Sequence, residues 1–191
     1  MRIIAGMAKG RNLNSPVGDT RPTSDRAREA LFSTLESELG ALTDKYFLDL
    51  YAGSGAVSAE ALSRGAALTH AVENEESAVQ IARSNLELFE KIVGSGTYQV
   101  FNSSVARFLK TNINIQYDAI FIDPPYEFAN ELVTADLELL LENKLLKSNS
   151  IIAVERDSKS KPFLWPRGIT ELKVRKYGHA VIYYGFPSQN G

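Results

Sequence analysis

The chain has 191 residues, enough for one domain with a small appendage, and its 44% apolar content supports a proper core. It contains no cysteine, which excludes disulfides, thiolate metal sites and cysteine nucleophiles together and fits a cytoplasmic protein. The net charge of -2 is unevenly spread: in residues 1–28, Arg2, Lys9, Arg11, Arg21, Arg26 and Arg28 face only Asp19 and Asp25, so an acidic body carries a basic N-terminal arm.

That arm is suited to local contact with a polyanion, and equally to a solvated patch. No apolar run reaches the ~18–20 residues that span a bilayer, and "MRIIAGMAKG" is no signal peptide. Residues 1–24 read as a hairpin, turning between Gly6 and Gly10, followed by a loop; they form an extension to a domain over residues 25–191. A helix follows over Asp25 to Leu39, capped by Thr23 or Ser24, with Ala27, Leu31, Leu35 and Leu39 on one face. Arg26 and Arg28 fall in its first turn, where the helix dipole disfavours cations unless an anion offsets them.

From Lys45 onward, strands and helices alternate. "YFLDLY" is the first strand, with a helix over Ala56 to Arg64. "LTHAVE" is the second, with a helix over Glu76 to Lys91. "TYQVFN" is the third, with a short helix over Val105 to Thr111. "YDAIFID" is the fourth, with a helix over Ala129 to Glu142. "SIIAVER" is the fifth, and "ITELKVRKY" and "HAVIYYGF" form a closing antiparallel pair around Tyr177-Gly178. The pattern predicts an α/β fold, a doubly wound, mostly parallel sheet covered on both faces, with an antiparallel C-terminal hairpin at one edge.

In "LDLYAGSGA" a strand runs through Gly53-Ser54-Gly55 into a helix, a turn that lets a ligand approach the backbone. Glu73 ends the next strand, 20 residues beyond Gly53, where an acid accepts from ribose hydroxyls. Ser58 stands where a dinucleotide binder has Gly or Ala, and Asp49 inside the strand end repels a pyrophosphate but suits an ammonium group. A nucleoside bearing a cationic amino group, such as S-adenosylmethionine, fits better than NAD.

The fourth strand stops at Asp123-Pro124-Pro125-Tyr126. An amine on a base or amide is a poor nucleophile because its lone pair is delocalised. Asp123 offers a carboxylate for one of its hydrogens. Pro124 offers a carbonyl stiffened by the proline after it, and Tyr126 a face for stacking. Catalysis of this kind is mainly alignment.

These residues, with "AVENEESAV", resemble class I S-adenosylmethionine-dependent methyltransferases that modify amino groups. The N-terminal "RIIAGMAKGRNL…RPTSDRAREALFSTL" is similar to the ribosomal RNA small-subunit methyltransferase D family. The resemblance implies a Rossmann-like sheet of seven strands and methylation of the N2 amine of a guanine in 16S ribosomal RNA. It implies cofactor positions at Asp49, Ala52, Gly53, Gly55, Glu73 and Asn74, and catalytic ones at Asp123, Pro124 and Tyr126. Ser104 stands where relatives often contact the adenine amine, and Val105 offers its backbone N–H. Arg2, Arg11, Arg21, Arg26 and Arg28, with Tyr126, would hold RNA.

The expected partner is 16S RNA within a small-subunit particle, and the expected state a monomer without metal. His70 and His179 are read as structural, Trp165 as packing a surface loop, and one of Tyr183 and Tyr184 as core. The clamp alone also suits a DNA adenine or protein glutamine methyltransferase, though 191 residues leave little room for a DNA-recognition domain. A non-catalytic RNA-binding module is the alternative of a different class.

Overall fold

The computed structural model describes residues 1–15, 24–111, 114–125 and 127–188. Helix α1 spans Asp25–Leu39, and the Ser24 hydroxyl caps it by accepting from the Ala27 N–H at 3.1 Å. Then follow β1 (Tyr46–Leu50), α2 (Ala56–Ser63), β2 (Leu68–Glu73), α3 (Glu76–Leu86), β3 (Thr97–Asn102) and α4 (Val105–Leu109). The chain continues with β4 (Tyr117–Ile122), α5 (Asn130–Glu142), β5 (Leu146–Asp157), β6 (Ile169–Tyr177) and β7 (Ala180–Pro187).

Several boundaries differ from the sequence expectation by a residue or more, α4 for instance ending at Leu109 and not Thr111, and three of them are instructive. The helix expected to reach Lys91 changes at Leu86 into a 3-10 segment over Glu87–Lys91. Strand β5 begins at Leu146, ahead of its apolar run, because its register against β4 shifts between Tyr117 and Ala119 and takes up polar residues. Strand β1 ends before Tyr51, whose φ of 63° is incompatible with a strand.

The seven strands lie in the order β3-β2-β1-β4-β5-β7-β6. Strands β1 to β5 are parallel, and β7 inserts antiparallel between β5 and β6. The order reverses between β1 and β4, and the crevice at their carboxyl ends is where such sheets bind ligands. Alternation along β4 divides the core. Ile120 and Ile122 pack with α4 and α5, while Ala119 and Phe121 pack with α1 and α2. His70 is buried and bonds the Tyr117 hydroxyl through Nδ1 at 2.7 Å; burial pushes its pKa down to about 4, so it stays neutral. Tyr184 is the core member of its pair, and Trp165 packs edge-on to Phe163.

The N-terminal hairpin closes through the Arg2–Asn12 bridge and lies on α2. Ile3, Ala8 and Leu13 share a cluster with Ala59 and Leu62 of α2 and Leu86 of α3. A Cβ at Gly6 would sit 1.8 Å from the Ser63 carbonyl oxygen, so only glycine fits there. This cover explains why α2 is buried on every side. Glu60, fully buried, pins the hairpin. Its carboxylate accepts from the N–H groups of Ile4 (2.8 Å) and Ala5 (3.0 Å) and from Arg64 Nε (2.9 Å).

Arg28 is also fully buried. It donates to the Arg2 carbonyl at 2.7 Å and to Asp25 at 2.9 Å, and stands 3.7 Å from Glu60. It therefore ties α1 to the hairpin and does not hold phosphate, which corrects the sequence expectation. Replacing Glu60 by Ala leaves the part-buried N–H groups of Ile4 and Ala5 without their acceptor, removes the bond to Arg64 Nε and takes the carboxylate away from the buried Arg28 guanidinium 3.7 Å from it. Urea denaturation of that variant should show a loss of about 3–5 kcal/mol.

Candidate functional site

The turn after β1 is built around strain and close contact. Tyr51 is held at φ 63°, which costs a side chain of its kind roughly 1–2 kcal/mol. Two contacts oppose that cost: its hydroxyl donates to Asp136 of α5 at 2.5 Å, and its ring meets Phe128 edge-on at 5.3 Å. Gly55 caps α2 at φ 71°, and a Cβ there would lie 3.1 Å from the Ala82 Cβ of α3. Ala52 joins β1 to β2 through its N–H on the Val72 carbonyl at 3.0 Å.

Asp49 is buried beneath this turn and turns towards α2. One of its oxygens accepts from the Ser58 N–H at 3.0 Å and from the Ser58 hydroxyl at 2.6 Å. Burial pushes its pKa up to about 7; the Ser58 bonds oppose the rise, and the charges of Asp123 and Glu73 add to it. The sign follows from linkage. Above about pH 4 the unfolded chain releases this proton, whereas the folded chain keeps it until about pH 7. Asp49 therefore makes stability fall as pH rises through that window, by about 4 kcal/mol in all. Asp49→Asn keeps an acceptor for Ser58 and should abolish that contribution. The gap in urea midpoint between variant and parent should widen in the variant's favour from pH 5 to pH 8.

Glu73 is anchored at the end of β2. One oxygen accepts from the Gly53 N–H at 2.9 Å; the other accepts from the N–H groups of Asn74 (2.8 Å) and Glu75 (2.9 Å). It opens onto a cleft of about 280 Å³. The walls include Asn74, Ser104, Val105, Phe128, Leu132 and Asp136, with Tyr51 at the turn. The Ser104 hydroxyl caps α4 by accepting from the Arg107 N–H at 3.4 Å. Apolar walls beside the Glu73 carboxylate, with Asp136 taken up by the Tyr51 hydroxyl, suit a flat base with its ribose. Asp49, Glu73 and Asp123 act on one another electrostatically, so this edge favours a cationic ligand over a pyrophosphate. The residues present thus fit S-adenosylmethionine.

Asp123 follows β4 and is half-buried; its N–H donates to the Leu50 carbonyl of β1 at 3.3 Å. Pro124 is buried, and the Pro125 carbonyl accepts from the Phe128 N–H at 2.9 Å. The acid-bearing turn and the glycine turn therefore abut at the switch point of the sheet. Among the expected RNA contacts, Arg2, Arg11 and Arg26 are exposed. Arg2, Lys9 and Arg26 rim a groove of about 330 Å³ between hairpin and α1, with Asp25 and Glu29 beside them. Arg21 and Tyr126 lie outside the described residues.

Tyr51, Phe128 and Asp136 were not singled out from sequence. Arg156 opens "RDSKSK", Arg156 to Lys161, a stretch that reads as a solvated loop able to touch RNA, whereas the structure buries Arg156 within β5. Asp136 carried a signal, as a carboxylate on the buried face of α5 with Val133, Leu137 and Leu140. Arg156 carried another, closing the apolar run of β5. The positions of Tyr51 and Phe128 depend on turns with no such mark.

The family described as "Conserved hypothetical protein 95" matches residues 1–185. "Ribosomal RNA small subunit methyltransferase D" of Haemophilus influenzae is 37% identical over 182 residues, covering 93% of this chain and 89% of the relative. The Escherichia coli K12 protein of the same name is 36% identical over 160 residues, covering 82% and 75%. A solved Escherichia coli methyltransferase superposes with a TM-score of 0.84 at 31% identity, covering 100% of this chain and 99% of the other. A Synechocystis magnesium protoporphyrin IX methyltransferase solved with bound SAM shares the fold, with a TM-score of 0.63 at 14% identity over 90% and 87% of the two chains.

Proposed function

Because the chain belongs to the "Conserved hypothetical protein 95" family, together with the ribosomal RNA small subunit methyltransferase D proteins, we propose that it methylates the exocyclic N2 amine of a guanine in 16S ribosomal RNA. S-adenosylmethionine, when bound, supplies the methyl carbon, made electrophilic by its sulfonium. Glu73, Asn74, Ser104 and Val105 hold the nucleoside end in the cleft. The Glu73 carboxylate favours the cationic end, and a cation near Asp49 draws off the proton that burial otherwise holds there.

At the amine, the Asp123 carboxylate accepts one hydrogen and the Pro124 carbonyl the other. The lone pair is thereby withdrawn from the ring and aimed. Proton loss follows transfer, so the acid need not act as a base beforehand. Tyr126 stacks on the guanine, which must leave its own stack to be reached. Arg2, Arg11, Arg21 and Arg26 neutralise phosphates, and the RNA is presented to a single copy of the chain within a small-subunit particle.

The observation that carries this reading is the position of Asp123, joined through its N–H to the Leu50 carbonyl and so set against the turn that ends β1. The experiment is methyl transfer in vitro to small subunits lacking the modification, followed by mass mapping. One methyl group on the N2 of one guanine is expected. Transfer to a ring nitrogen, to another base or to no RNA at all would overturn the reading.

A further inference from the structure

We propose that Arg156 is a positioning residue for methyl transfer, holding the Asp123–Phe128 loop in register from behind; the inference rests on the function proposed above. Arg156 stands near the end of β5 and is only 4% exposed. Its Nη2 donates to the Phe128 carbonyl, and its Nε and Nη1 have no hydrogen-bond partner among the described residues. Burial pulls the guanidinium below its ordinary pKa, and the Asp123 carboxylate, then Tyr183 and Tyr51, oppose that fall.

A buried cation is a poor way to fill a core position, since apolar residues of similar volume are often no less stabilising. What Arg156 reaches is specific. One nitrogen of its guanidinium holds the last part of the loop at the Phe128 carbonyl, while its charge lies within electrostatic range of Asp123 at the loop's start. Phe128 is held from two further directions, by the Pro125 carbonyl on its N–H at 2.9 Å and by the ring of Tyr51 at 5.3 Å. The three tethers fix Phe128, the far end of the turn that Asp123 opens. Misplacement by about 1 Å costs an aligned reaction roughly 100-fold.

The test compares parent, Arg156→Met, Arg156→Gln and Arg156→Lys in transfer to undermodified small subunits, with S-adenosylmethionine affinity measured by calorimetry. Methionine removes both the hydrogen bond and the charge. In that variant kcat should fall at least about tenfold while the cofactor Kd moves less than about threefold. Glutamine can still reach the carbonyl and lysine keeps the charge, so both should fall between methionine and parent.

A purely structural role would lower the melting temperature of the methionine variant and leave kcat within twofold, and that result overturns the proposal. A Kd loss as large as the kcat loss overturns it too, as does a lysine variant no better than methionine. If the methionine protein does not fold by circular dichroism, the glutamine variant decides by the same kcat and Kd limits. Failure of both to fold assigns Arg156 to the core and ends the proposal. Activity of the parent separates the two ideas: an inactive parent defeats the functional reading and this inference with it, whereas an active parent matched by the variants defeats this inference alone.

Discussion

Asp123→Ala should reduce kcat for methyl transfer by about 100- to 1000-fold or more, the scale on which loss of one preorganised hydrogen-bonding group acts. The same variant should bind S-adenosylmethionine within about threefold of the parent, because Asp123 lies outside the lining of the cleft that Glu73 enters. The split is the informative part. Removing a group that only shapes the sheet edge would harm binding and turnover together. Removing the acceptor of an amine hydrogen harms turnover alone. Asp123→Asn retains one carbonyl oxygen in place and should recover part of the rate. A tritium-methyl assay at saturating cofactor, with calorimetry beside it, measures both quantities. Turnover of Asp123→Ala at the parent's level would remove the residue from the chemistry.

Glu73→Ala should have the opposite signature. Its carboxylate is the meeting point of three backbone N–H groups, from Gly53, Asn74 and Glu75, and it also faces the cleft. Truncation removes the acceptor proposed for the ribose and releases the glycine turn from β2 at the same time. Hydrogen bonds to a charged group contribute about 1.5–3 kcal/mol each, so a loss of about 3 kcal/mol, or roughly 100-fold in cofactor Kd, is expected. At cofactor concentrations high enough to saturate the variant, kcat should recover most of its value. Glu73→Gln keeps one acceptor and should lie between the two. Calorimetric titration decides; a Kd within threefold of the parent would mean that the cofactor does not use this carboxylate.

Much of the architecture was legible along the chain. The continuous apolar run Ala119-Ile120-Phe121-Ile122 marked a strand buried on both faces, and the structure sends Ile120 and Ile122 to one layer and Ala119 and Phe121 to the other. Thr23 or Ser24 ahead of the apolar face marked the start of α1 at Asp25, and the structure makes Ser24 the cap. The seven-stranded sheet implied by family resemblance matches the observed topology, with its switch between β1 and β4. The same resemblance led to the methyltransferase family that the comparisons support.

Other features were out of reach, each for a physical reason. Arg28 looked like a surface cation because its neighbours in sequence are charged, yet its environment is made by Arg2 and Glu60, 26 and 32 residues away. Asp49 was read through the ligand it suits, whereas its nearest partner is Ser58 on the helix packed above it. Local periodicity reports which side of an element is apolar. It carries no information about which distant group will meet a buried charge.

That division follows from the range of the forces involved. Helix capping, glycine turns, alternation and the succession of strand and helix act over a few residues, so composition and order suffice to specify element types and to bring Gly53, Glu73 and Asp123 to one edge of a sheet. Burial of Glu60, the proton held by Asp49 near neutral pH and the grip of Arg156 on Phe128 arise only when segments tens of residues apart exclude water together. Desolvation is a property of the assembled interior, and no single stretch of chain contains it.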